Sequence, residues 1–203
     1  MRRSLQLVCM VAVATVACWE TANAAFFGMP RNLGAQVQRI HLTEPTLPPL
    51  SHTRFCMQYP PQCKPSRTVF RGGALKLTAP RWEELAKINL EVNRGIQWER
   101  NTSLANEKWL IGPKTGDCND YAVTKRHQLL ARGWPARNLL LAEVVVPSGE
   151  HHLVLVVRTH DGDFIADNLS ATIRQWNQPR YRWVRMQSPR NPAFWSKVAP
   201  RVV

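Results

Sequence analysis

Residues 116–122 read GDCNDYA, and this stretch decides how the rest of the chain is interpreted. Cys118 follows a Gly-Asp pair, and the residues up to about Ala131 have a helical pattern that closes at Gly133 and Pro135. Unpaired N–H groups and the positive dipole end at a helix start stabilise a thiolate. We therefore expect the pKa of the Cys118 thiol to lie below its ordinary value of about 8.5. The stretch predicts a nucleophilic cysteine at the start of a helix.

A base and a carboxylate follow Cys118 along the chain. His152 opens an apolar run over residues 152–157 that predicts a buried strand, and Asp167 ends the next predicted strand. Side chains on adjacent antiparallel strands can be cross-strand neighbours, so the two residues can meet. Taken singly, they could equally be a core cysteine, a surface histidine and a turn aspartate. Their order, however, matches the nucleophile, base and orienting acid of a catalytic triad.

The remaining periodicity predicts an α+β fold. Apolar residues spaced three and four apart predict a helix over residues 81–101, ahead of the helix at 117–131. Further β-rich segments lie at residues 139–146, 164–166 and 181–186. Because helices come first and a run of strands follows, we expect helices packed on an antiparallel sheet.

The N-terminus predicts export. Arg2 and Arg3 precede an apolar run over residues 5–18, and the small residues at 22–24 match a signal-peptidase site. The apolar run is shorter than the roughly 20 residues that span a membrane. We therefore expect a signal peptide at residues 1–24, an extended lead-in at 25–50, a single domain at 51–203, and no integral membrane segment after processing.

The charge must be interpreted in that compartment. Lys and Arg number 27 against 14 Asp and Glu, a net charge of +13. Such an excess first suggests nucleic acid or an anionic surface as a partner. Export excludes chromosomal DNA, so we expect no nucleic acid and favour anionic envelope polymers or an acidic protein substrate, in the periplasm or outside the cell.

Two cysteines, Cys56 and Cys63, lie seven residues apart and are separated by a Pro-Pro turn. In an oxidising compartment this spacing favours a short-loop disulfide. A zinc site with the nearby His52 is the alternative, although the spacing is unusual for zinc and a second ligand pair is missing. Pairing these two leaves Cys118 as the free thiol of the processed chain.

Three motifs carry a family resemblance. Residues 116–122, followed by Lys125 and Arg126, resemble the Gly-Asp-Cys-Glu-Asp-Tyr/Phe-Ala motif of the bacterial transglutaminase-like cysteine proteinases. Residues 152–155 match that family's His-x-Val-Leu strand, and residues 166–169 match its Leu-Asp-Asn-Leu segment. The three motifs stand in the family's order, and the resemblance extends over roughly residues 52–196.

The resemblance implies a papain-like, transglutaminase-type core and a periplasmic peptidase whose relatives clip surface adhesins. It implies Cys118 as nucleophile, His152 as base and Asp167 as orienting acid. His151 is the rival base, but neighbouring strand residues point to opposite faces, so only one of the two can serve. We also expect Trp109, which lies on the approach to Cys118, to line the substrate cleft.

The family also implies calcium, held by acidic residues around the nucleophile. In this chain these residues are Asp117, Asn119 and Asp120, with Asn119 where the family usually has Glu. Calcium prefers several hard oxygen ligands, so the lost carboxylate predicts weaker calcium binding or none. The chemistry itself requires no cofactor.

Two further functions remain open at the level of sequence. A transglutaminase-type acyl transferase would share the nucleophile and the base. A non-catalytic envelope-binding module would use the basic surface, and Cys118, His152 and Asp167 would then have no function in it.

Overall fold

The computed structural model describes residues 37–65, 74–101, 103 and 107–200. The chain divides into a unit of residues 1–31 and a unit of residues 32–203. The predicted signal peptide at 1–24 and most of the predicted lead-in lie outside the described residues.

The described part of the second unit contains four α-helices, one 3-10 helix (Ala136–Asn138) and nine strands. The helices are α1 (Leu50–Gln58), α2 (Pro60–Cys63), α3 (Ala79–Gly95) and α4 (Cys118–Ala131). The strands are β1 (Leu42–Thr46), β2 (Gln97–Trp98), β3 (Thr115–Gly116), β4 (Leu139–Val145), β5 (His151–Thr159), β6 (Gly162–Ala166), β7 (Arg174–Gln175), β8 (Arg182–Gln187) and β9 (Trp195–Val198).

Seven of these strands form one antiparallel sheet in the order β1-β9-β8-β4-β5-β6-β7. The strands β4 to β7 follow one another as a meander, and β8 then returns to the free side of β4. The predicted α+β class with an antiparallel sheet is confirmed. The central strands β4 and β5 are apolar on both faces because both faces are covered.

Each face of the sheet contributes to a separate apolar core. On one face, α3 and α4 pack through residues such as Leu85, Ile88 and Leu129 against Leu141 and Leu155. On the other face, aromatic side chains from the C-terminal part of the chain cover Ala142, Val154 and Ile165; these side chains are Trp176, Tyr181 and Trp183. This second core also contains part of the candidate active site.

Several element boundaries differ from the predictions. The predicted helix over 81–101 ends at Gly95, because residues 97 and 98 leave the helix to pair in parallel with Thr115 and Gly116. The predicted lead-in at 25–50 contains β1, which pairs with β9. The formation of β1 and α1 depends on long-range pairing and packing, so the local sequence does not clearly predict either element.

Within the described residues, no helix combines the length and the apolar character needed to cross a membrane.

Candidate active site

The start of α4 is built by a reciprocal cap. Asp117 is the N-cap, and its Oδ1 accepts the N–H of Asn119 at 2.9 Å. Asp120 Oδ2 accepts the N–H of Asp117 at 3.0 Å, while its Oδ1 accepts the N–H of Leu110 at 2.7 Å. A Cβ at Gly116 would collide with the Asp120 carboxylate, so the cap requires glycine there. The motif around the cysteine therefore fixes the residue at which α4 begins.

Cys118 is the first residue of α4 and the one free cysteine among the described residues. Its thiol accepts a hydrogen bond from the backbone N–H of Leu153, the residue that follows His152 on β5. Burial raises the pKa of this thiol to about 12; the Leu153 N–H opposes that rise, and the charges of Asp117, Glu107 and Asp167 add to it. The expectation of a lowered pKa is therefore wrong for the free protein, because desolvation outweighs the helix dipole.

His152 and Asp167 are in direct contact. His152 Nε2 lies 2.8 Å from Asp167 Oδ1, and the two residues are only 6% and 1% exposed. The register explains the contact: β6 ends opposite Leu155 at Ala166, so the next residue lies diagonal to His152. With Nε2 facing a carboxylate, the imidazole carries its proton there, and its Nδ1 retains a lone pair that can accept a proton.

Asp167 is held by three donors. Besides His152, the Tyr181 hydroxyl donates to Oδ2 at 2.7 Å and the N–H of Leu169 donates to Oδ1 at 3.0 Å. Burial alone would raise the pKa of Asp167, but the bonds from His152, Tyr181 and Leu169 outweigh it and hold the pKa below its ordinary value. A guanidinium nitrogen of Arg174 lies 3.9 Å from Oδ2. Asp167 is thus a carboxylate kept charged inside the protein.

Tyr181 and Arg174 are the site residues that sequence reasoning missed. In the sequence, Tyr181 begins a predicted strand, but no pattern indicates that its hydroxyl contacts Asp167. Arg174 reaches Asp167 through the sheet, since it pairs with Ile165 on β6, whereas Tyr181 reaches it from just ahead of β8.

The two neighbouring histidines have separate environments. The His151 side chain is 65% exposed, and its Nδ1 lies against Glu143 on β4. The His152 side chain is 7% exposed and faces Asp167. The strand alternation expected from the sequence thus directs only His152 toward the carboxylate.

Trp109 does not line an open cleft. It is 2% exposed and packs against His52 and Phe55, with ring centroids 5.6 and 6.0 Å apart. Its place is the apolar core, where α1 covers it. Among the described residues, Trp98 is the exposed tryptophan, at 56%, and it pairs with Gly116 two residues ahead of Cys118.

The three residues expected to bind calcium already have other partners. Both oxygens of Asp120 accept backbone N–H groups, and Asp117 Oδ1 accepts the N–H of Asn119. The Asn119 side-chain amide donates to Glu107 at 2.6 Å, a contact that no sequence pattern indicated. Burial raises the pKa of Asp120 to about 6, while the N–H groups of Leu110 and Asp117 oppose that rise.

Cys56 and Cys63 lie at disulfide distance, with the sulfur atoms 2.01 Å apart. His52 Nε2 lies 3.5 and 4.0 Å from the two sulfurs. The imidazole is already hydrogen-bonded, since Gln187 Nε2 lies 3.0 Å from Nε2 and Trp195 donates to Nδ1 at 3.3 Å. The joined sulfurs and these donors leave no room for the zinc alternative in this state.

Comparison with known proteins gives one match over most of the chain. The family model described as bacterial transglutaminase-like cysteine proteinase matches residues 42–202. Solved structures of LapG from Legionella pneumophila, including calcium-bound and EGTA-treated forms, match at 23% identity with a TM-score of 0.45. These matches cover 51% of this chain and 61–63% of the LapG chains, less than two thirds of their length. No curated protein sequence matches the chain.

Proposed function

The chain belongs to the bacterial transglutaminase-like cysteine proteinase family, and on that premise we propose that Cys118, His152 and Asp167 hydrolyse a peptide bond of a protein substrate. The observation that carries this proposal is the buried contact between His152 Nε2 and Asp167 Oδ1, beside a thiol at a helix start. Family membership makes the protein a cysteine peptidase; the roles of individual residues are our assignment.

The raised pKa of Cys118 determines how attack must begin. Because burial raises the pKa of the thiol to about 12, the free thiol is almost entirely protonated at pH 7. Attack therefore requires transfer of the Sγ proton to His152 Nδ1 as the sulfur bonds to the substrate carbonyl carbon. Among these three residues, His152 is the only base available to the sulfur once substrate covers the site.

The later steps return the same proton. The oxyanion formed by attack lies near the start of α4, where the Cys118 N–H and the helix dipole stabilise it. The imidazolium then donates its proton to the leaving amine as the C–N bond breaks, which leaves a thioester on Cys118. Water, deprotonated by His152, attacks the thioester and releases the acid and the thiol. Asp167 stabilises the imidazolium at both stages through the 2.8 Å contact.

Trp98 is the residue we assign to substrate contact in place of Trp109. It is exposed on β2, beside the strand that leads into Asp117 and Cys118. A flat apolar side chain at this place can pack against an extended substrate segment.

The donor set does not fit calcium as it is arranged. Calcium takes six to eight oxygen ligands, whereas the oxygens of Asp120 are taken up by backbone N–H groups and the amide of Asn119 faces Glu107. The cavity beside Asp117 is lined by the cations Arg100 and Lys108 as well as by Glu99 and Asp120, so its carboxylates have cations beside them. The proposed chemistry therefore has no step that depends on a metal, and calcium is not assigned to this protein.

Export and the basic surface complete the proposal. The first 24 residues have the order of a signal peptide, so the substrate is expected in the cell envelope, a surface adhesin being one candidate. The net charge of +13 favours acidic substrates and anionic surface polymers as partners.

The experiment that tests the function follows the fate of the acyl group. An envelope extract is incubated in H₂¹⁸O with the protein starting at Ala25 or with its Cys118→Ala variant, and new peptide termini are identified by mass spectrometry. Hydrolysis predicts new C-termini that carry ¹⁸O with the unaltered protein only. An added amine probe joined to glutamine side chains without chain cleavage would instead identify an acyl transferase. New termini that are equally abundant with Cys118→Ala would contradict the proposal.

A further inference from the structure

Both oxygens of the Asp167 carboxylate accept hydrogen bonds, and the group that donates to Oδ2 itself accepts a hydrogen bond from a further donor. Tyr181 donates its hydroxyl proton to Oδ2 at 2.7 Å, while His152 bonds Oδ1. The Tyr181 ring also packs edge-on against the His152 imidazole, with centroids 6.1 Å apart. Tyr181 therefore contacts two of the three proposed catalytic groups without facing the thiol itself.

Arg174 determines the direction of the hydrogen bond between Tyr181 and Asp167. Its guanidinium hydrogen-bonds the Tyr181 hydroxyl and lies 3.9 Å from Asp167 Oδ2. A guanidinium can only donate, so the Tyr181 oxygen must accept from it. The single hydroxyl proton of Tyr181 is then left to point at Asp167.

The Tyr181 hydroxyl is buried in apolar surroundings, which favours its donation to Asp167. Tyr181 is 8% exposed and belongs to the apolar core formed with Trp176 and Trp183. Burial raises the pKa of Tyr181, and the Asp167 carboxylate adds to that rise, so the phenol stays protonated and remains a donor. Asp167 itself is 1% exposed, which makes every donor to it count.

We propose that Tyr181, directed by Arg174, is a positioning residue that holds the Asp167 carboxylate so that Oδ1 faces His152 Nε2. The inference rests on the proposed function, because it assigns Tyr181 a task in the same triad. By taking Oδ2, Tyr181 prevents the carboxylate from rotating, and it thereby keeps the histidine proton on Nε2 and the lone pair on Nδ1 toward Cys118.

Removing the hydroxyl has a consequence that a packing role alone would not produce. Tyr181→Phe retains the ring but leaves Oδ2 without its donor, so negative charge concentrates on the carboxylate that binds His152. A more basic carboxylate stabilises the imidazolium relative to the neutral imidazole. Because attack needs neutral His152, the acid limb of the kcat/KM profile should move to higher pH. The other cations that interact with Asp167, Arg174 on β7 and the buried Lys125 on α4, are present in both proteins. Partners of this kind change activity by about 10–100-fold, and we expect a loss in kcat of that size with little change in KM.

The matched control is Tyr121→Phe. Tyr121 is also buried, at 4% exposed, and it also loses a hydroxyl donor, but its hydroxyl bonds the Ile96 carbonyl rather than Asp167. Each variant is measured for kcat, KM and pH profile on a peptide taken from a mapped cleavage site, with near-ultraviolet circular dichroism as the test of folding. The proposal expects the shifted limb in Tyr181→Phe only. An unshifted limb in a folded Tyr181→Phe protein, or the same shift in Tyr121→Phe, would overturn it.

A second measurement does not depend on activity. The His152 Nε2 proton bound to a buried carboxylate should give a downfield proton resonance, identified by its loss in Asp167→Asn. The proposal expects this resonance to move or broaden in Tyr181→Phe and to remain in Tyr121→Phe. If the unaltered protein shows the resonance but cleaves nothing, the proposed function fails while the positioning role stands. An identical resonance in Tyr181→Phe would remove the positioning role whatever the activity.

Discussion

His152 Nε2 and Asp167 Oδ1 lie 2.8 Å apart in the interior, where both residues are less than a tenth exposed. Their contact depends on the point at which β6 stops, since Ala166 is the last residue paired with β5. The carboxylate therefore lies beside the second residue of β5, and the imidazole has one nitrogen committed and one available.

Replacing Asp167 by Asn should remove most activity without unfolding the protein. The amide carries no charge for the imidazolium and can present its NH₂ group to Nε2, which favours the wrong tautomer. A loss of about 10⁴ in kcat is expected by analogy with the corresponding aspartate of serine proteases. Steady-state rates on a mapped peptide substrate measure it. Asp161→Asn, at an exposed turn beside His160, is the control and should retain full activity.

Alkylation of Cys118 should depend on His152. Because burial raises the pKa of the thiol to about 12, an isolated thiolate would form only at strongly alkaline pH. In the unaltered protein, His152 can accept the proton, so iodoacetamide should react at neutral pH. In His152→Ala, the rate should be low at neutral pH and should rise toward the alkaline limit. Alkylation rates from pH 6 to 11 measure this, and equal profiles for the two proteins would mean that His152 does not serve as the base.

Trp98→Ala should weaken substrate binding rather than chemistry. Trp98 is 56% exposed beside Gly116, so its removal costs contact area and leaves the three polar residues in place. We expect KM to rise about fivefold with kcat nearly unchanged, since an aromatic contact contributes on the order of 1 kcal/mol. Phe194→Ala is the control: Phe194 is 65% exposed and lies next to β9, which β8 and β4 separate from β5. A rise in KM of the same size in both variants would argue against a specific contact.

Calcium should leave the unaltered protein unchanged. The carboxylate oxygens of Asp120 are occupied by backbone N–H groups, and Asn119 has no charge to offer. Melting temperatures in millimolar calcium and in EGTA should therefore agree. Asn119→Glu adds a carboxylate beside Glu107, and calcium should stabilise that variant by relieving the repulsion. Magnesium, which is smaller and more strictly octahedral, serves as the control ion. A calcium-dependent rise in the melting temperature of the unaltered protein would show that the site rearranges to bind the ion.

His52 should make the protein less stable in mild acid. Burial lowers the pKa of His52 to about 4, and the charge of Arg126 contributes to the same shift. The unfolded chain binds the proton near its ordinary pKa of 6.5, so the stabilisation is complete above pH 6.5 and is lost as the pH falls toward 4. The full loss from this one group is roughly 3 kcal/mol.

Urea unfolding at a series of pH values measures this loss. The free energy of unfolding of the His52→Gln variant should fall less steeply between pH 6.5 and 4 than that of the unaltered protein. His160→Gln, at an exposed histidine, should retain the steep fall. A slope that is the same in all three proteins would assign the acid sensitivity to other groups.

Local sequence determined the parts of this protein that depend on a single element. The cap of α4 follows from Asp117 and Asp120 three residues apart, and α4 begins at Cys118 as predicted. The alternation of a strand separated His151 from His152, because neighbouring side chains on a strand point to opposite faces. The order of helices and apolar strands was enough to predict an antiparallel α+β fold.

Tertiary structure alone decided the properties that depend on burial and on distant partners. The thiol of Cys118 has a raised pKa because packing against β5 removes it from water, which no local pattern of charges reveals. Trp109 is in the core because α1 covers it, and α1 is positioned by contacts far along the chain. Tyr181 reaches Asp167 from the residue ahead of β8, and Arg174 reaches it from β7. A motif records which residues are neighbours along the chain, but pKa and hydrogen bonding depend on which residues share an interior without water.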